Sequence, residues 1–355
     1  MTTIAVERVI TPMGVRTGAE VEVHGTLIDS VRPATGAVEP WTLIPGLIDL
    51  QVNGIGGIDV WSAHGSDWDH LDAALARQGV TAWLPTLTSR PLADYPRALE
   101  AITEAALRDG RGRPAILGAH LEGPFLGHRT GAHDDAAVVA VDLGWIRDLP
   151  DNVRLVTLGP EREGALDAIS ALSATAVIVA LGHTEADIAT MTAAVDAGAS
   201  MVTHLYNAMS PFHHRAPGPV GVALTDPRLT TSLIADGIHV EPVAIKLAFA
   251  AKGHGRVVLV SDQVAGAPDA GAVRLADGTL AGATASLADG VRFAVTRCGI
   301  PLDIAVHAAS TTPAALMGDG SRGRVEAGAR ADLVALDADL EVAAVWIGGE
   351  RVSLD

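Results

Sequence analysis

Short apolar runs alternate with alanine-rich stretches through most of the chain, and this alternation is its main structural signal. The runs Leu47–Val52, Thr81–Pro85, Ala115–Leu121, Arg154–Leu158, Ala176–Leu181, Ser200–Leu205, Thr230–Ala235 and Arg256–Ser261 predict strands. Trp68–Gln78, Pro91–Arg108, Ala186–Ala197 and Pro242–Ala251 predict helices between them. Strands that read as continuous apolar runs are covered on both faces, the arrangement of a parallel sheet flanked by helices. Eight βα units over about 270 residues suit a closed (β/α)8 TIM-like barrel better than an open doubly wound sheet, which is the alternative α/β architecture.

The pattern changes at both ends. Val21-Glu22-Val23-His24 and Thr26-Leu27-Ile28-Asp29 alternate apolar and polar residues, as half-buried antiparallel strands do, and no helix fits there. Ala331–Leu336 and Val342–Ile347, the latter followed by Gly348-Gly349, read the same way. Short β ribbons are marginal alone. The two ends are therefore expected to share one small β-sandwich domain, residues 1–44 and 322–355, beside a barrel of residues 45–321.

Composition narrows the function. With 42 acidic and 25 basic residues among 355, a net charge of −17 argues against nucleic acid or an anionic membrane surface as partner. An anionic substrate would need a local basic pocket. A hydrophobic content of 48% with 19% charged residues excludes a disordered chain. Cys298, the single cysteine, cannot form an internal disulfide and reads as a small buried hydrophobe. The opening MTTIAVERVITPMG lacks a secretion pattern, and apolar stretches such as Ala174–Leu181 are far too short to span a membrane, so a cytoplasmic location is expected.

Chemistry-bearing residues cluster just after the predicted strands. Gln51 and Asn53 follow the first, His120 and Glu122 the third, His183 the fifth, His204 and Asn207 the sixth, Asp236 and His239 the seventh, and Asp262 the eighth. In a barrel these C-terminal ends converge on one mouth. Glu122, His183 and His204 make a set of three ligands that suits Zn2+ with an open position for water, and Fe2+, Co2+ or Mn2+ also fit. Each histidine alone reads equally as a hydrogen-bonded rim residue. Asp262 is placed to move protons in metal-assisted hydrolysis, or else to cap a loop. Gln51 and Asn53 are amides where a two-metal site would need a histidine pair, which points to a single metal, although Asn53-Gly54 also reads as a turn. Gly54–Gly57 does not have the spacing of a dinucleotide loop. His213, His214, Arg215 and His239 offer positive charge for a phosphate, or are ordinary loop residues. His307 is expected to pack in a helix.

These residues stand in motifs that resemble the N-acetylglucosamine-6-phosphate deacetylases of the amidohydrolase superfamily. Pro45–Gly54, His120–Phe125, Gly182–Thr184, Thr203–Met209 and Ile234–His239 look like the signatures of that family, in order. The resemblance implies a barrel with a small β domain, a homodimer, and one divalent metal ion per subunit held by Glu122, His183 and His204. It implies that Asp262 is base and then acid, that His133 helps polarise the acetyl carbonyl, and that Gln51 and Asn53 mark the one-metal branch. Asn207 and Ala208 would hold the phosphate of a phosphorylated N-acetyl amino sugar, His239 would contact the sugar phosphate, and Arg215 would reach the active site of the neighbouring subunit. Acetate and glucosamine 6-phosphate would be the products. Three segments depart from the family: a shortened hairpin beginning at Gln263–Pro268, the stretch Gly282–Leu287, and the loop Gly127–Thr130. A related N-acyl amino sugar or a cyclic amide is thus the alternative substrate. The joint presence of Glu122, His183, His204 and Asp262 counts against a non-catalytic barrel.

Overall fold

Eight parallel strands follow one another around a nearly closed barrel in a computed structural model that describes residues 1–108, 110, 112–266 and 272–354. In chain order they are Leu47–Val52, Val80–Leu87, Ala119–Glu122, Val153–Leu158, Ile178–Leu181, Met201–Val202, Thr230–Ile234 and Val257–Val260, each bonded to the next. Ile48, Leu50, Leu84, Leu155, Ala180, Ile234 and Val258 fill the interior, while Leu47, Leu71, Leu75, Trp83 and Leu99 belong to the core under the helices. Side chains on both faces are apolar because both faces are covered.

The third and sixth strands depart most from the apolar runs that predict them. The third breaks after Ala115–Ile116 at Gly118, whose φ is +133°, before resuming at Ala119. The sixth stops at Val202, and His204, Tyr206 and Ala208 then take left-handed φ values of 29°, 79° and 48°. Left-handed backbone cannot continue a strand. It turns this segment onto the barrel mouth instead.

Strands eight and one meet at the seam without a full ladder. There Asp262 N–H donates to the Gln51 carbonyl (3.0 Å), Asn53 N–H to the Gln263 carbonyl (2.8 Å), and the buried Asp49 Oδ1 accepts from the Gln51 and Ser261 N–H groups at 3.2 Å. Asp49 thereby ties the segment between the eighth strand and Asp262 to the strand that leads into Asn53. Burial pushes its carboxyl up to about 6, against the opposing hydrogen bonds from Ser261 and Gln51. A folded-state pKa above the unfolded value of 3.8 contributes stability that is complete below about pH 4 and is lost as pH rises through 6. Asp49→Asn should therefore flatten the fall in thermal midpoint between pH 5 and pH 8, by about 1.4 kcal/mol of pH-dependent stability. Thermal unfolding at the two pH values, at fixed metal content, checks this. An unchanged pH dependence would refute it.

The ends form a separate seven-stranded mixed sheet in the order Glu350–Val352, Val342–Ile347, Leu333–Leu336, Glu39–Pro45, Thr2–Thr11, Gly14–His24, Leu27–Pro33. It curls until Ile28 N–H reaches the Ala329 carbonyl (2.8 Å), enclosing Val6, Val9, Val21, Val23, Leu43, Leu333 and Trp346 in a core of its own. Closure of this kind covers edges that would otherwise be left unpaired. Cys298 is buried and His307 lies in a helical turn with Nδ1 3.0 Å from Thr312 Oγ1. Among the described residues no helix is long and apolar enough to cross a membrane.

Candidate active site

A cavity of about 1090 Å3 opens at the C-terminal mouth of the barrel. Asn53, Glu122, His133, His183, His204, Asn207, Ala208, His239 and Asp262 all line it. Gln51 lies just behind, buried, with Nε2 donating to Glu122 Oε1 at 3.0 Å. The inward turn of Gln51 has a local cause: pairing between strands one and two shifts register between Asp49 and Val52. Ile48 and Leu50 face the interior but Val52 joins the outer core, so the alternation is re-aimed as it is at a bulge. Arg215 is exposed on the turn between His213 and Ala216 and does not line the cavity.

The centre is Glu122. Its Oε1 lies 3.1 Å from His183 Nε2 and 2.8 Å from His204 Nε2, and these two nitrogens are 3.1 Å apart. His183 Nδ1 is 3.0 Å from the Arg129 carbonyl, which can only accept, so the neutral ring carries its proton there and leaves Nε2 bare. Burial works to raise the Glu122 carboxyl, but the His183 and His204 rings beside it outweigh that and hold the group well below the usual range. A carboxylate and two imidazole nitrogens so close together, with little water, call for a positive charge between them. The donor set fits a divalent cation. Glu122, His133 and His183 also offer ligand atoms within 4.8 Å of one another, so His133 and His204 both stand near enough to complete a three-residue set.

Around this centre lie the other charged groups. Asp262 opens onto the cavity, its Oδ1 accepting from Asn53 Nδ2 at 2.8 Å. Withdrawal from bulk water, with the nearby Glu122 charge, pushes its carboxyl up to about 8. His239 Nδ1 lies 2.6 Å from Asp236 Oδ2. Burial opposes ionisation of Asp236, but the hydrogen bonds to the His239 side chain and backbone prevail and lower its pKa. His120, adjacent in sequence to this centre, points elsewhere: its ring is wedged between Thr86 Oγ1 (3.3 Å) and Thr157 Oγ1 (2.8 Å), and burial lowers it to about 4. Arg90, Arg129 and Arg274 border the cavity among Asp59, Asp94 and Asp134, so a lining rich in carboxylates still offers guanidinium groups to an anion. Five of the six non-glycine residues with left-handed φ among the described residues are His183, His204, Tyr206, Ala208 and Asp262. Backbone held in sparsely populated conformations collects at functional sites, because a site must aim side chains where regular structure would not.

Several lining residues escape a reading of sequence alone: Trp61, Thr88, Ser89 and Arg90. The second strand runs to Leu87, beyond the Pro85 suggested by the apolar run, so Thr88 and Ser89 sit at a strand end and obey the positional rule that singles out the others. The hairpin after Asp262 is present as Ala272–Arg274 paired with Leu280–Ala283, and Arg274, Thr279 and Leu280 wall the cavity. Ala267 and Pro268, in the segment expected to be shortened, lie outside the described residues.

The Amidohydrolase family profile matches residues 42–352. An N-acetylgalactosamine-6-phosphate deacetylase of Escherichia coli O157:H7 is 38% identical, over 98% of this chain and 98% of its own. An N-acetylglucosamine-6-phosphate deacetylase of Bos taurus is 39% identical, over 91% of this chain and 85% of its own. Among solved structures, a variant N-acetyl-D-glucosamine-6-phosphate deacetylase of Mycobacterium smegmatis in complex with N-acetyl-D-glucosamine-6-phosphate superposes with a TM-score of 0.91 and 33% identity, over 99% of this chain and 98% of that one.

Proposed function

The chain belongs to the amidohydrolase family, and on that premise we propose that it removes the acetyl group from N-acetylglucosamine 6-phosphate by metal-dependent hydrolysis, giving acetate and glucosamine 6-phosphate. The observation that carries this reading is the meeting of Glu122, His183, His204, His133 and Asp262 in one cavity at the barrel mouth. Glu122, His183 and His204 would hold one divalent ion, with Zn2+ the ion that two imidazoles and a carboxylate suit best. Bound there, such an ion supplies Lewis acidity and an acidified water.

The protein's own groups do the rest. Asp262, steadied by Asn53, takes a proton from the attacking water and delivers it to the amide nitrogen as the C–N bond breaks. His133 faces the developing oxyanion, where a preorganised donor acts most strongly. Asn207 and Ala208 would hold the phosphate, with His239, braced by Asp236, against the sugar phosphate. Arg215 is exposed and outside its own cavity. Phe212 is exposed near it in sequence, and Ile238 and Val243 are exposed near His239 in sequence. These features support a homodimer in which Arg215 serves the neighbouring site. A cytoplasmic setting belongs to the same proposal.

The relative that aligns over nearly all of both chains acts, by its name, on the galactosamine epimer. N-Acetylgalactosamine 6-phosphate is therefore the second reading. Acetate release should be measured from both phosphates, from N-acetylmannosamine 6-phosphate and from the unphosphorylated sugars, with metal content determined on the same preparation. Turnover confined to N-acetylglucosamine 6-phosphate, with about one metal per chain, is the expected result. Preference for the galactosamine phosphate would move the assignment to that epimer, and equal turnover without phosphate would sink the phosphate roles.

A further inference from the structure

Two histidines of the cavity present their Nδ1 atoms to backbone groups of opposite kind. His183 Nδ1 meets a carbonyl, that of Arg129, at 3.0 Å. His133 Nδ1 meets an N–H, that of Ser89, at 3.1 Å, with Ser89 Oγ 2.8 Å from the same nitrogen. A backbone N–H can only donate, so the His133 Nδ1 it points at must keep its lone pair. The one proton of a neutral ring then sits on Nε2. The same logic puts the His183 proton on Nδ1 and bares its Nε2.

We propose that Ser89 is a positioning residue: by engaging Nδ1 it fixes His133 as an Nε2–H donor, removing it from the metal-binding set and aiming it at the acetyl carbonyl oxygen. This resolves the choice between His133 and His204 as third ligand in favour of His204, whose Nε2 is 2.8 Å from Glu122 Oε1, while His133 Nε2 stays 3.8 Å from Glu122 Oε2. The inference deepens the deacetylase reading and rests on it for the role of the donor. The arrangement is packed in place. Ser89 is 7% exposed, and a Cβ on Gly123, the residue after Glu122, would run into Ser89 Oγ. Gly123 also has a φ of +90°, so glycine there meets both demands. The serine that orients the donor and the carboxylate that serves the metal thus rest on a shared contact.

The test reads the ring directly. Enzyme labelled with [15N]histidine and loaded with Zn2+ gives two-bond proton–nitrogen spectra, in which the His133 signals are those that vanish in His133→Gln. The expected pattern is a protonated Nε2 and a bare Nδ1 for His133, with zinc content unchanged in His133→Gln. Ser89→Ala, which keeps the backbone N–H and loses only the Oγ contact, should keep its zinc and the His133 tautomer, leave KM within about twofold, lower kcat about tenfold, and shift the His133 Nδ1 signal. A proton on Nδ1 in the unmodified enzyme, or loss of zinc in His133→Gln, would overturn the proposal. So would a Ser89→Ala enzyme with unaltered spectrum and kcat. Tautomer and zinc content are read without substrate, so failure of the sugar-phosphate assay and failure of this inference are separate results.

Discussion

Asp262→Asn is expected to lower kcat by about 10²–10⁴, the contribution of a positioned acid–base group, while metal content and thermal midpoint stay as in the unmodified enzyme. An Asn side chain keeps the size of Asp and can still accept from Asn53 Nδ2, the 2.8 Å contact that orients the carboxyl now. Asp262 N–H still bonds the Gln51 carbonyl, so the seam is untouched. What is lost is the ability to take a proton from water and return it to nitrogen. Burial and the nearby Glu122 charge hold a proton on the Asp262 carboxyl up to about pH 8, and a cation among the ligands pulls that value down. The base form is thereby available at neutral pH when the metal is present. Steady-state kinetics with metal analysis on the same sample decide the matter: a variant with full zinc and kcat within threefold of the parent would show that another group moves the protons.

Much of the architecture was legible because the barrel imposes a simple rule on sequence. Strands covered on both faces must be apolar throughout, so Val257-Val258-Leu259-Val260 or Ile178–Leu181 stand out, and a polar residue following such a run is conspicuous. Glu122, His183, His204 and Asp262 were found in this way. The rule fails where strand ends are misjudged. Pro85 lies inside the second strand, not at its end, so the apolar run does not mark the residues behind it, including Ser89, as rim positions. It also fails for Asp49, whose neighbours Ile48 and Leu50 give no hint of a carboxylate that bonds a backbone N–H of a strand more than 200 residues away. Composition cannot reveal a tautomer. The difference between His133 and His183 lies in which backbone atom each Nδ1 meets, a relation that exists only after folding.

Glu122→Gln should abolish both metal binding and turnover, and excess zinc should not restore them. Three groups approach Glu122 Oε1: Gln51 Nε2 at 3.0 Å, His183 Nε2 at 3.1 Å and His204 Nε2 at 2.8 Å. Its negative charge is what makes a cation favourable among two imidazoles in a site with little water. A neutral amide leaves the two nitrogens and removes the charge. It also brings an N–H2 that competes for the lone pairs a metal would need. Gln51→Ala is the graded comparison, since it removes only the hydrogen bond that orients Glu122. Loss of such an outer partner weakens metal affinity by about 10–100-fold, so this variant should refill when zinc is raised. Zinc titration of the stripped proteins, followed by metal analysis after gel filtration, separates the two. Full occupancy of Glu122→Gln at low zinc would remove Glu122 from the ligand set and leave His133, His183 and His204 to hold the ion, a result that would also contradict the donor role of His133.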